Sequence, residues 1–253
     1  MLIIIMNKEI KKLLKKYYIL YNDKKWENFN NDNNIKQDFY KIWKNEHGGY
    51  YLKSDMTTFN PPEILPYYNK SFIIIPDVAS NDIKFQQKYV DTLNKILLDN
   101  DEKHIKLDFR NNYGGKPQVM IAGLLPLFNM SKRKLLTFIT TKSKVIKDIC
   151  KNNNCILCIS NNKASICGTK LKMNKLKKLS IYMNKYTISS AEQSIIALLS
   201  LNDIVEVKIL GKNSGGYTTC NKYIELSNGD GIEIPIGYMT DINLNIYKKG
   251  INI

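Results

Sequence analysis

Between residues 71 and 210 short apolar runs alternate with segments of helical period, and this alternation restricts the chain to an α/β fold more tightly than any other feature. Residues 71–76 are apolar almost without interruption, as in a strand buried on both faces. Residues 83–98 carry Val90, Leu93, Ile96 and Leu97 at helical spacing, and 105–109 return to a strand pattern, so a βαβ-like unit is predicted. A glycine-containing turn at 110–115 leads into a helix over 118–128. Strands over 135–140 and 155–159 are predicted as an inserted hairpin. Residues 179–183, 190–201 and 205–210 repeat the order strand, helix, strand, and 223–226 with 232–236 flank the turn Ser227-Asn228-Gly229-Asp230-Gly231.

The preceding part of the chain is built differently. Ile10, Leu13, Leu14, Tyr17 and Tyr18 recur at helical spacing with lysines on the other face, which predicts an amphipathic helix over 7–22. Phe39, Tyr40, Ile42 and Trp43 predict a second helix ending near His47-Gly48-Gly49, because paired glycines stop a helix. Residues 50–59 read as extended. Pro61, Pro62 and Pro66 then punctuate the chain, so a helical N-terminal region over 1–65 and a core over 66–253 are expected.

Composition limits the partners. The 253 residues suffice for one sizeable core with a smaller appendage. The net charge of +15 would suit nucleic acid, but the lysines are scattered among Asn and Ile without aromatic interleaving, and no nucleic-acid partner is expected. The dense run 170–178 reads as a solvated loop. Five cysteines, an odd number, predict no disulfides and a reduced, cytoplasmic location. Cys155-x-x-Cys158 has the spacing of a zinc knuckle, yet Ile156 and Leu157 place it in a strand-like run, so no metal is expected. Residues 2–6 are apolar but too short to span a bilayer, and the lysine-rich helix after them lacks a signal-peptide cleavage site; no membrane partner is expected.

Ser189-Ser190-Ala191-Glu192 follows a short apolar run and opens an uncharged helical pattern. Two readings fit. A serine where a strand turns into a helix sits at an exposed corner, with the next backbone N–H free to bind an oxyanion. The same four residues also make a helix capping box, Ser189 capping and Glu192 reaching back.

Three blocks occur in a telling order: Leu107-Asp108-Phe109-Arg110-Asn111-Asn112-Tyr113-Gly114-Gly115, then Ser189-Ser190-Ala191-Glu192, then Ile209-Leu210-Gly211-Lys212-Asn213-Ser214-Gly215-Gly216. Over about residues 71–253 the chain resembles the tail-specific protease family, the C-terminal processing peptidases. The resemblance implies a crotonase-like core of ββα units, a peptide or protein substrate, no cofactor, and peptide-bond hydrolysis by a serine nucleophile, which falls on Ser189. It implies one oxyanion donor from the Gly114-Gly115 turn and another from the Ser190 N–H, with Glu192 fixing the turn. The family's lysine base, however, is replaced by Tyr217, and a phenol is a poor base at neutral pH. The glutamine that supports that lysine corresponds to Asn221.

A branch of the family without the lysine carries a histidine before the core, in a motif similar to Asp-x-His-Ser. Asn45-Glu46-His47-Gly48 stands in that place, and His47 becomes the candidate base beside a purely structural reading. Asp241 is the expected third group, since Glu46 is adjacent in sequence but expected to point elsewhere. The other histidine, His104, follows a charged run and reads as a surface residue. Tyr217 also sustains a second functional class, a catalytically silent crotonase-like domain that binds peptides or a partner protein.

Overall fold

The computed structural model describes residues 2–18, 22–26, 29, 35–43, 47–56, 62–69, 71–128, 134–140, 145–152, 155–158 and 163–253, with the backbone alone described for 2–7, 25, 38, 55–56, 134, 145–152, 155–158 and 163–165. The chain divides into two compact units. The first comprises Met1–Asn60, Thr140–Lys144 and Thr219–Tyr238; the second comprises Pro61–Ile139, Val145–Thr218 and Met239–Ile253. This corrects the expected division into 1–65 and 66–253: the helical region is not self-contained, and residues 219–238 leave the core to join it.

The reason lies in the apolar stripes of the N-terminal helices. In chain-order labels, the first unit holds α1 (Leu2–Tyr17), α2 (Asp23–Trp26), α3 (Ile35–Trp43), β1 (Gly49–Tyr51), α4 (Lys53–Met56), β11 (Thr219–Glu225) and all but the last two residues of β12 (Gly231–Thr240). Ile10, Leu14, Tyr18, Trp26, Phe29, Phe39, Trp43 and Tyr50 bury against one another and against Leu226, Ile232 and Ile234. Short helices bury too little alone, and the β11–β12 hairpin supplies the missing apolar surface. Trp43 stacks with Tyr18 and with Phe39, each at 4.9 Å between ring centroids. β12 pairs antiparallel with both β1 and β11. The extended reading of 50–59 holds only through Tyr51, where α4 begins shortly after, and 57–59 lie outside the described residues.

In the second unit five strands form a sheet in the order β10 (Glu206–Gly211), β9 (Lys178–Met183), β4 (His104–Asp108), β3 (Phe72–Ile74) and β2 (Tyr67–Asn69). β3, β4, β9 and β10 run parallel, and β2 is antiparallel to β3. α5 (Ile83–Asp99) connects β3 toward β4, and α8 (Ser190–Leu199) connects β9 to β10, so the α/β class read from the alternation is present. Asp82 caps α5, its carboxylate accepting from Lys84 N at 2.9 Å.

The helix predicted over 118–128 is two, α6 (Pro117–Gly123) and α7 (Leu125–Phe128). Pro126 has no N–H for the Ala122 carbonyl, which breaks the ladder. Asn94 Nδ2 donates instead to the carbonyls of Ala122 (3.0 Å) and Gly123 (2.7 Å).

The inserted hairpin is a four-stranded antiparallel meander, β5 (Lys134–Ile139), β6 (Val145–Asn152), β7 (Cys155–Cys158) and β8 (Lys163–Cys167). Cys167 is disulfide-bonded, against the expectation of no disulfides. In the β7–β8 register the backbone of Cys155 stands across from that of Cys167. Among the described residues no helix is long and apolar enough to cross a membrane.

Candidate active site

Two loops at the C-terminal ends of adjacent parallel strands build the site in the second unit. After β4 the chain runs through 109–115, and after β9 through 184–189. Short polar residues tie the two together. Thr187 Oγ1 donates to the Phe109 carbonyl (2.7 Å), Ile188 N to the Asn112 carbonyl (3.1 Å), and Asn184 Nδ2 to Asn111 Oδ1 (2.9 Å). Asn112 is buried; its Nδ2 donates to the Ile75 carbonyl (2.8 Å) and its Oδ1 accepts from Gly114 N (2.8 Å). The Arg-Asn-Asn run thus fastens the glycine turn to the sheet. Arg110 in turn grips the buried Asp108 carboxylate and lies over the rings of Phe72 and Tyr182.

Gly114 and Gly115 both have positive φ, 94° and 109°. A Cβ on Gly115 would stand 2.2 Å from the Val78 carbonyl oxygen, and one on Gly114 would stand 2.9 Å from Ser190 N and 3.0 Å from Ser189 Cβ. Only glycine permits this approach of the turn to the serines. Tyr113 and Tyr186 stand exposed on the two loops with ring centroids 6.2 Å apart.

Ser189 has φ 56° and ψ −117°, a left-handed conformation outside the extended geometry of an ordinary N-cap. Such backbone strain in a non-glycine residue costs on the order of 1–3 kcal/mol and persists only where the surroundings enforce it. Glu192 is the enforcing group. Its carboxylate, fully buried, accepts from Ser189 N (2.9 Å), Ser214 Oγ (2.5 Å) and Gly216 N (2.9 Å). Burial pushes its pKa above the usual carboxylate range, opposed by hydrogen bonds from Ser214 and the backbone of Gly216, Ser189 and Tyr217. Both sequence readings of Ser-x-x-Glu therefore meet in one turn: Glu192 supplies its half of the capping box, and the strained corner is what an exposed nucleophile requires.

The same corner leaves backbone donors unspent. Gly114 N is committed to Asn112, whereas among the described residues the N–H groups of Gly115 and Ser190 donate to no protein acceptor. Ser190 Oγ donates to the Gly115 carbonyl at 2.8 Å, which fixes the two residues against each other. Of the two glycines assigned to the oxyanion donor, the geometry leaves Gly115 available and Gly114 engaged.

His47 belongs to the first unit, at the bend before β1. Its Nδ1 lies 2.7 Å from Thr219 Oγ1, and that hydroxyl donates to Asn221 Oδ1 at 2.8 Å. Burial lowers the His47 pKa to about 4. Gly48, with φ 101°, sits so close to β12 that a Cβ there would reach 2.2 Å from the Glu233 carbonyl oxygen, which accounts for glycine where the related motif has serine. Asn45 and Glu46 lie outside the described residues.

Asp241, expected as the third group, is held within its own turn. Its carboxylate accepts from Asn243 N (2.8 Å), Asn245 N (3.0 Å), Asn245 Nδ2 (2.8 Å) and Tyr247 Oη (3.3 Å), closing a turn after β12 in the second unit. A short carboxylate followed by Asn at two and four residues satisfies itself locally. Tyr217 contributes a backbone N–H to the Glu192 cluster, in the position of the related lysine. His104 is exposed, with Nε2 2.8 Å from Ser180 Oγ. The sequence reading passed over Asn112 and Ser214, although both stand in its quoted blocks, and over Thr219, for which it held no signal.

The family model described as peptidase family S41 matches residues 72–252. A nisin-resistance protein of Lactococcus lactis subsp. lactis is 31% identical over 207 residues, covering 81% of this chain and 61% of that protein, so the chain spans about three fifths of this curated relative's length. A lipoprotein from Streptococcus agalactiae has the same fold, with a TM-score of 0.73 at 19% identity, covering 98% of this chain and 89% of that one. A putative peptidase from Parabacteroides merdae superposes with a TM-score of 0.60 at 13% identity, covering 98% and 87%.

Proposed function

Because the chain belongs to peptidase family S41 and is of the serine peptidase type, we propose that it cleaves peptide bonds through an acyl-enzyme on Ser189, with His47 as the general base. The observation that carries this reading is the strained Ser189 corner with two undonated N–H groups, Gly115 and Ser190, beside it. Ser189 Oγ attacks the carbonyl carbon and its proton passes to imidazole; the carbonyl oxygen, now negative, receives the two N–H groups. Collapse expels the amine, which takes the proton from imidazolium. Water, deprotonated by the same imidazole, then releases the acyl group and restores Ser189. A histidine base is favoured because Tyr217 occupies the lysine position.

We further infer a crotonase-like core, supported by the parallel strands β3, β4, β9 and β10 with α5 and α8 in the connections. The disulfide at Cys167 removes the cysteine argument for a cytoplasmic location and supports an oxidising compartment. The nisin-resistance relative makes nisin the first substrate to try.

The test is labelling with a fluorophosphonate probe, followed by incubation with nisin and mass analysis of fragments. Wild type should label; Ser189→Ala should lose labelling and turnover by several orders of magnitude while staying folded, and His47→Ala should lose nearly as much. Folded wild type that does not label sinks the peptidase and leaves the silent peptide-binding domain, which the lysine replacement favours. Labelling that survives His47→Ala assigns the base elsewhere.

A further inference from the structure

A histidine can act as a base toward serine only when the nitrogen facing it carries the lone pair, and which nitrogen that is depends on the partner of the other. In the first unit that partner is the Thr219 hydroxyl, 172 residues away in sequence. A threonine hydroxyl has one proton to give. Thr219 gives it to Asn221 Oδ1, at 2.8 Å, so toward His47 it can only accept, and the proton at the 2.7 Å contact must sit on Nδ1. Nε2 is then the nitrogen with the lone pair.

We propose that Thr219 and Asn221 are positioning residues for the reaction: the Asn221 carboxamide directs the Thr219 hydroxyl, and the hydroxyl holds His47 in the Nδ1–H tautomer that a base acting through Nε2 requires. The inference rests on the reading of His47 as the base. It replaces the carboxylate expected at this place by a neutral relay, since Asp241 spends its oxygens on Asn243, Asn245 and Tyr247. A neutral partner suits a site whose burial keeps imidazole uncharged at neutral pH.

Asn221 bears a cost that marks the assignment. Its Nδ2 is buried with no acceptor among the described residues. A structural asparagine would turn its amide to spend that donor; turned by 180°, Nδ2 would face Thr219, the hydroxyl would donate to Nδ1, and the proton would move to Nε2, the wrong nitrogen for catalysis. The two arrangements predict opposite tautomers and can be told apart.

The experiment is long-range ¹H–¹⁵N correlation of the imidazoles at neutral pH, which resolves protonated from unprotonated ring nitrogens; there are only two histidines, and His104→Gln assigns the second. Wild type should show Nδ1 protonated and Nε2 bare on His47. Thr219→Val, which keeps the shape and removes the hydroxyl, should scramble the tautomer and slow fluorophosphonate labelling about 100-fold. Thr219→Ser should restore both. Asn221→Asp, which can only accept, should keep the tautomer, and Asn221→Leu should lose it. An Nε2–H tautomer in a wild type that labels through His47, or Thr219→Val labelling at the wild-type rate, overturns the relay and leaves the peptidase standing. A folded wild type that does not label at all takes both down.

Discussion

Glu192→Gln tests the turn at its centre while changing almost no volume. Four donors reach the carboxylate: Ser214 Oγ and Gly216 N on Oε1, Ser189 N on Oε2, and the Tyr217 backbone N–H. A glutamine has one acceptor oxygen. Its better orientation keeps Ser214 and Gly216 satisfied and sets an NH₂ against Ser189 N, so at least one buried backbone donor loses its partner, a cost of about 1–3 kcal/mol. Neutralising a carboxylate whose pKa burial has raised returns part of this, which places the net loss near 1–2 kcal/mol. The lost bond is also the one that holds Ser189 at φ 56°, so relaxation of the corner should slow fluorophosphonate labelling at least tenfold, about 1.4 kcal/mol of barrier. Stability must be followed by far-UV circular dichroism in urea, because both tryptophans, Trp26 and Trp43, lie in the first unit and their fluorescence reports on that unit alone. A variant that unfolds at the wild-type urea midpoint and labels at the wild-type rate refutes the assignment of Glu192 as the group that enforces the turn.

With His47 lowered to about 4 by burial, imidazole remains able to accept a proton well below its ordinary range, so the acidic limb of the labelling rate should fall near pH 4; a limb near 6.5 contradicts it. The unfolded chain binds this proton first, so stability should decline as pH drops from about 6.5 to about 4, by at most about 3 kcal/mol, and His47→Gln should flatten that part of a pH series of urea midpoints. Gly115→Ala forces a Cβ to 2.2 Å from the Val78 carbonyl oxygen at φ 109° and should cost more than about 2 kcal/mol and abolish labelling; an alanine variant of wild-type stability would show that the turn is not held there. Thiol titration of protein denatured without reductant should find fewer than the five cysteines of the sequence, and five titratable thiols would remove the disulfide at Cys167.

The α/β order, the N-terminal helices and the position of Ser-x-x-Glu at a strand-to-helix corner were legible in the sequence, because each depends on residues a few places apart. Helical and extended backbones bring i and i+3/i+4, or i and i+2, onto one face, so a periodic pattern carries them. The same local logic misled wherever a distant partner overrode it. Strands 223–226 and 232–236 fall inside the expected core of 66–253, yet Leu226, Ile232 and Ile234 complete the core of the N-terminal helices. At Asp241 the balance is the reverse: local partners, Asn243 and Asn245, hold the carboxylate that was expected to serve a distant histidine.

What the sequence by itself determined is therefore the kind of fold and the setting of Ser189. Tertiary structure alone decided the φ of Ser189, the use of Gly115 rather than Gly114 as the undonated turn residue, and the meeting of His47 with Thr219. The physical reason is hydrogen-bond accounting: a buried donor or acceptor must be satisfied by whatever folding brings within about 3 Å, and sequence proximity does not say what that will be.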